Sequence, residues 1–197
     1  MKQHTLFVLG LLSLAACPAF AETPAASTAW ESAMLDQAAT CATVSPKTRT
    51  MLLKMLRLED EAGLPDHVRG ITVAIACREA KYNPKAEGDH KFSKDGKTPM
   101  AIGLFQMWPW WKKSFKVDRS DPYKATAVWL KFVKGRLPYV ERKCKPDTEE
   151  QKWSAAVAYA MMGPGKRCHS RTKHYRIMQD WQHAVAVPAT PTRISKR

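Results

Sequence analysis

Residues 74–111, AIACREAKYNPKAEGDHKFSKDGKTPMAIGLFQMWPWW, constrain the rest of the chain more than any other stretch. An apolar run ends in a glutamate, a polar loop follows, and a second apolar segment runs into a cluster of tryptophans. Asp66 reads as the N-cap of the helix leading in, with Glu79 in its last turn. Val68, Ile71, Ile75 and Glu79 fall at i, i+3, i+7 and i+11, one stripe of a 3.6-residue helix. That stripe otherwise faces a core, and an unpaired buried charge is costly. Glu79 is therefore expected at the floor of a cleft, half withdrawn from water. Such a setting lets a carboxyl keep its proton long enough to serve as a general acid. The plainer alternative is a helix-end residue that snorkels or pairs with a neighbouring Lys or Arg.

The chain has 197 residues, 45% apolar and 25% charged, which suits one soluble globular domain with a real core. Its first 21 residues read as an export signal. Lys2 and His4 precede an apolar run at 6–16, and A-F-A at 19–21 forms a small-residue cleavage site. The run is too short to span a membrane. L-A-A-C at 14–17 resembles a bacterial lipobox, so lipidation at Cys17 is the alternative to cleavage after Ala21. The expected location is the periplasm or the medium, or a lipid anchor through Cys17.

Four further cysteines, Cys41, Cys77, Cys144 and Cys168, suggest two disulfides in an exported chain, with three pairings open. Cys144 and Cys168 bracket one predicted helix and are the first guess for a bridge, which leaves Cys41 with Cys77. No C-x-x-C or His/Cys ligand spacing is present, so no metal and no cofactor are expected. The net charge is +14, and residues 1–21 contain only Lys2 among charged residues, leaving +13. This excess favours anionic surroundings, which for an exported chain are wall polymers and the stem peptides of the wall, or serves solubility alone. No recognised nucleic-acid motif accompanies it.

In chain order, a helix is predicted from Trp30 to about Ala42. A second starts at Ser45-Pro46, serine capping and proline at the first helical position, and stops at Gly63. Residues 81–99 read as a loop, and Met100 to Met107 as a short buried helix. Asp121-Pro122 opens a helix that Pro138 kinks or ends. Asp147 or Thr148 caps the next, which Gly163-Pro164-Gly165 terminates. A last helix runs from His174 to about Val185, and 187–197 reads as a disordered basic tail. No clear β-hairpin signal or repeat appears, so the expectation is one mainly α domain over 22–186.

Three segments in order carry a resemblance. REAKYNP at 78–84 looks like the R-E-S-x-F-N-P of soluble lytic transglycosylases, GLFQMWP at 103–109 is similar to their G-L-M-Q-[IL]-x-P, and AYAMMGPG at 158–165 resembles A-Y-N-A-G-P-G. The resemblance implies a lysozyme-like fold with a glycan-binding groove and peptidoglycan strands as partner. It implies a monomer that acts in wall remodelling or beside an envelope-spanning secretion apparatus. Glu79 would be the lone catalytic acid and base, cutting the β-1,4 bond with help from the sugar's acetamido group. Gln106, Tyr159 and Tyr82 would bind substrate. Trp110 and Trp111 are read as exposed platforms for sugar rings, whereas Phe105 and Trp108 are read as core packing. Gly103 is read as allowing close backbone approach and binding nothing.

The chain departs from that pattern in places. Ala80 replaces the motif serine, and Ala160 replaces the asparagine. The spacing from Glu79 to Gly103 exceeds that of the commoner transglycosylases, and the extra residues supply Asp89 and Asp95. Goose-type lysozymes, related in fold, position water with aspartates in this loop, so either could be a second carboxylate and hydrolysis is the competing chemistry. A glycan-binding module without turnover is the further alternative.

Overall fold

The computed structural model describes residues 28–163, 168 and 172–186. The segment read as an export signal, Cys17, most of the G-P-G terminator and the segment read as a basic tail lie outside the described residues. Seven α-helices and one two-stranded ribbon make up the regular structure among them: α1 (Ala29–Ala38), α2 (Pro46–Glu61), α3 (Ile71–Ala80), β1 (Glu87–Gly88), β2 (Ala101–Ile102), α4 (Pro109–Phe115), α5 (Pro122–Cys144), α6 (Glu149–Met162) and α7 (Lys173–Ala186). The protein is mainly α. No described helix is long and apolar enough to cross a membrane.

The centre of the molecule is α3. Residues 71–77 and Ala80 are all buried, as expected of a helix that is apolar all round. It packs on α7, α2 and α1, while α5 and α6 form the other main helix pair. Asp66 does not cap it. Asp66–Val68 form a separate 3-10 turn, and α3 begins only at Ile71, after Gly70 at φ +91°. The N-terminal cap comes instead from Glu59 of α2. Its carboxylate accepts from the backbone N–H of Gly70 (2.5 Å), the N–H of Thr72 (2.7 Å) and the Thr72 hydroxyl (2.5 Å). A carboxylate at a helix N-terminus satisfies orphan donors and meets the positive end of the dipole.

Other helix signals act as expected. Ser45 accepts from Thr48 N–H with Pro46 at the first position, and Thr148 caps α6 through Gln151. Gly63 adopts φ +65° just past α2. α1 stops at Ala38, short of Ala42, and Thr28 closes a capping box with Glu31 at its start. Pro138 does not end α5, which runs on to Cys144. Phe132, Val133 and Val140 are buried on both sides of it, and that packing outweighs the one lost backbone bond. Both disulfides are present, Cys41–Cys77 and Cys144–Cys168. The first ties the end of α1 to α3 two residues before Glu79.

The predicted helix from Met100 to Met107 is not formed. Ala101–Ile102 pair antiparallel with Glu87–Gly88, a ribbon with no clear signal in the sequence, and Ile102 and Met107 exchange backbone bonds of 3.1 and 2.9 Å around a tight turn. Gly103 (φ +82°) and Gln106 (φ +45°) cannot belong to a right-handed helix. A Cβ on Gly103 would come within 2.0 Å of the Arg119 carbonyl oxygen, so this glycine does permit a close backbone approach. Arg119 then locks the turn by donating to the Met100 (2.9 Å) and Met107 (2.7 Å) carbonyls. Gly103→Ala is expected to destabilise the protein by roughly 2–4 kcal/mol, since it combines a clash with a left-handed backbone. Urea unfolding checks this, and an unchanged midpoint would contradict it.

Candidate active site

Helix α3 delivers Glu79 to the base of a cleft of about 590 Å³. Lys81 and Tyr82, at φ 48° and 64°, break the helix just beyond it. The cleft wall is drawn from the ribbon and turn (Asp89, Gln106, Trp108), α4 (Trp110, Trp111), α5 (Trp129, Phe132, Arg136) and α6 (Tyr159 to Gly163). The Glu79 side chain is 28% exposed, between open solvent and full burial, and its Oε1 lies 2.6 Å from His174 Nε2. No guanidinium pairs with it among the described residues.

His174 sits in the first turn of α7 and is buried. Its other ring nitrogen, Nδ1, is buried without a hydrogen-bond partner among the described residues. A hydrogen on Nδ1 would be an orphaned donor, so the geometry favours the tautomer with hydrogen on Nε2, donating to Glu79. One carboxylate oxygen is thereby pinned to the protein wall, and the other is left for a ligand. Sequence reasoning missed this residue. Ninety-five positions separate it from Glu79, and nothing local marks it.

Of the substrate-binding residues read from the sequence, Gln106 and Tyr159 both line the cleft with Glu79. The Gln106 amide nitrogen donates to the Gly103 (3.0 Å) and Ala86 (3.3 Å) carbonyls. Its oxygen lies so close over Gly88 that a Cβ there would approach to 2.4 Å. Its donors thus brace the loop, and only the oxygen is left to accept from a ligand. Tyr159 stands edge-on to Tyr139 (5.4 Å between centroids), with the Arg136 guanidinium 5.2 Å from its ring.

Three assignments need correction. Tyr82 is 4% exposed and donates its hydroxyl to the Ala38 carbonyl at 2.8 Å. It bolts α1 to the end of α3 and does not line the cleft. Trp111 is 4% exposed, whereas Trp110 is 43% exposed, and the two stack at 4.4 Å. Only Trp110 is a free platform, because Trp111 turns edge-on into Phe132 and becomes the cleft's rear wall. Asp95 is spent within its own loop, accepting from Ser93, Lys97 and Thr98, and those bonds hold its carboxyl below the usual carboxylate range.

Asp89 does face the cleft. It adopts φ 59° and accepts from Trp108 Nε1 at 3.0 Å, so Trp108 serves the cleft wall and is not core filler. Phe105 is buried and stacked on Trp129 at 5.4 Å, and both rings also line the cleft from beneath. Trp129, Phe132 and Arg136 fall at i, i+3 and i+7 of α5; that spacing was available in the sequence and would have found Arg136. No group of residues suited to hold a metal ion occurs among the described residues. No known protein family, curated protein or solved structure matches this chain.

Proposed function

We infer that the protein cleaves the β-1,4 bond of peptidoglycan glycan strands, with Glu79 as the reacting carboxyl. The observation behind this is one half-exposed carboxylate, pinned by a buried histidine, at the base of an aromatic-lined cleft that also holds Gln106 and Tyr159. Its free oxygen protonates the departing glycosidic oxygen as the acetamido group of the muramic acid sugar assists. The same carboxylate then takes the proton of that sugar's C6 hydroxyl, giving a 1,6-anhydro end and consuming no water. Trp110 offers an apolar face to a sugar ring. A mainly helical domain around such a cleft agrees with the lysozyme-like architecture implied by the three sequence segments.

A second reading, hydrolysis, draws on Asp89, the one loop carboxylate that reaches the cleft. It would hold a water against the glycan. Mass spectrometry of products released from purified sacculi decides between them: anhydro ends are expected, reducing ends mean hydrolysis, and binding with no soluble product means an inert module.

Within this mechanism His174 is a positioning residue. His174→Ala is expected to lower kcat by about ten- to a hundredfold with KM little changed, because Glu79 loses its fixed rotamer. His174→Gln, which still carries a donor, should recover part of the rate. Equal losses in both variants would argue that His174 only packs.

A further inference from the structure

A second cavity among the described residues is larger than the cleft. It is a groove of about 960 Å³ on the other side of the ribbon and α4. The two sites draw on the same ribbon and on α4, each taking different residues of them. Glu87 lines the groove and Asp89 the cleft; Pro109 lines the groove and Trp108 and Trp110 the cleft; Lys112 and Lys113 return to the groove. An α-helix with its side chains is only about 10 Å across, so one branched polymer can reach both.

The groove's chemistry is unlike the cleft's. Lys85, Lys112, Lys113, Lys116 and Arg119 line it against two carboxylates, Glu87 and Asp118. Asp118 is turned back onto Ser120, accepting from its N–H (3.0 Å) and hydroxyl (2.8 Å). Among the described residues, none of the four lysines forms an ion pair. Arg119 is fixed by its two carbonyl bonds, and partial burial lowers its pKa, the mark of a cation held away from bulk water. Between the cations, Ile102, Pro109 and Val117 add apolar surface. No aromatic ring lines the groove, which leaves nothing for nucleic-acid bases to stack on.

We propose that this groove binds a short peptide bearing several carboxylates and small apolar side chains, the chemistry of the stem peptides on peptidoglycan strands. Lysines meet the carboxylates and the apolar surface meets alanine-sized methyls. A strand held in the cleft sends its peptide branch over α4. The assignment of the peptide's source rests on the glycan reading above, but binding itself does not depend on cleavage.

The test is titration of the full exported chain with a synthetic alanine-containing tetrapeptide carrying three free carboxylates, followed by amide NMR. Shifts are expected at residues 112–119 and not at Trp110 or Tyr159. Affinity should fall as salt rises from about 50 to about 300 mM. The charge-reversed variant K112E/K113E/K116E should bind about tenfold or more weakly. Its KM for intact sacculi should rise while its action on peptide-stripped glycan stays unchanged. Glu79→Gln should bind the peptide as the parent does. Peptide binding in a protein that cleaves no wall would keep this inference and remove the glycan reading. Unaltered affinity in the charge-reversed variant, shifts confined to the cleft, or binding to inorganic polyphosphate but not to the peptide would overturn it.

Discussion

Glu79→Gln is expected to lower wall clearing by about 10²- to 10⁴-fold, the usual cost of losing a general acid–base group. Glutamine keeps the shape and can still accept from His174 through its amide oxygen, so the fold and the cleft should survive. What goes is the acid–base group itself, and no other cleft residue can replace it. Asp89 is the nearest in kind, but its carboxylate is tied to Trp108. Circular dichroism and thermal melting should match the parent while product release from sacculi falls to background. Wild-type clearing by the glutamine variant would sink the glycosidase reading altogether, because every proposed step passes through that carboxyl.

The other large effect is expected at Glu59, beneath the opposite end of the same helix. It is fully buried, and burial lifts its pKa from 4.5 to about 7, although the bonds from Thr72 and Gly70 pull the other way. Between about pH 4.5 and 7 the folded protein then holds a proton that the unfolded chain has released. Stability from this group is complete below about 4.5, declines as pH rises and is gone above about 7. The gap corresponds to on the order of 3 kcal/mol. Denaturant midpoints at pH 5 and pH 8 should therefore differ more in the wild type than in Glu59→Gln, which cannot titrate. Identical pH slopes would remove Glu59 as the cause. Glu59→Ala is a harsher change, stranding two backbone donors and a hydroxyl in the core. About 3–5 kcal/mol should be lost at any pH. Because α3 carries Glu79, activity should also melt at a lower temperature.

A stripe of apolar residues running into a carboxylate, with a helix-breaking stretch after it, was enough to place Glu79 at the edge of the core. The capping serine before Pro46 and the threonine at 148 were as readable, because helix caps depend on local chemistry. The four cysteines, by contrast, left three pairings open, and only the fold brings Cys41 to Cys77 across 36 positions. Long-range encounters carry no such mark. That α3 is capped by Glu59 rather than Asp66, that Tyr82 reaches α1, and that His174 meets Glu79 are decided by how helices pack. Residues 100–107 show the same limit in one segment: helical composition yields to a turn because Gly103 must press against the Arg119 carbonyl. Periodicity reports which face of an element is apolar, and only the assembled chain determines what that face, or a charge at its end, will touch.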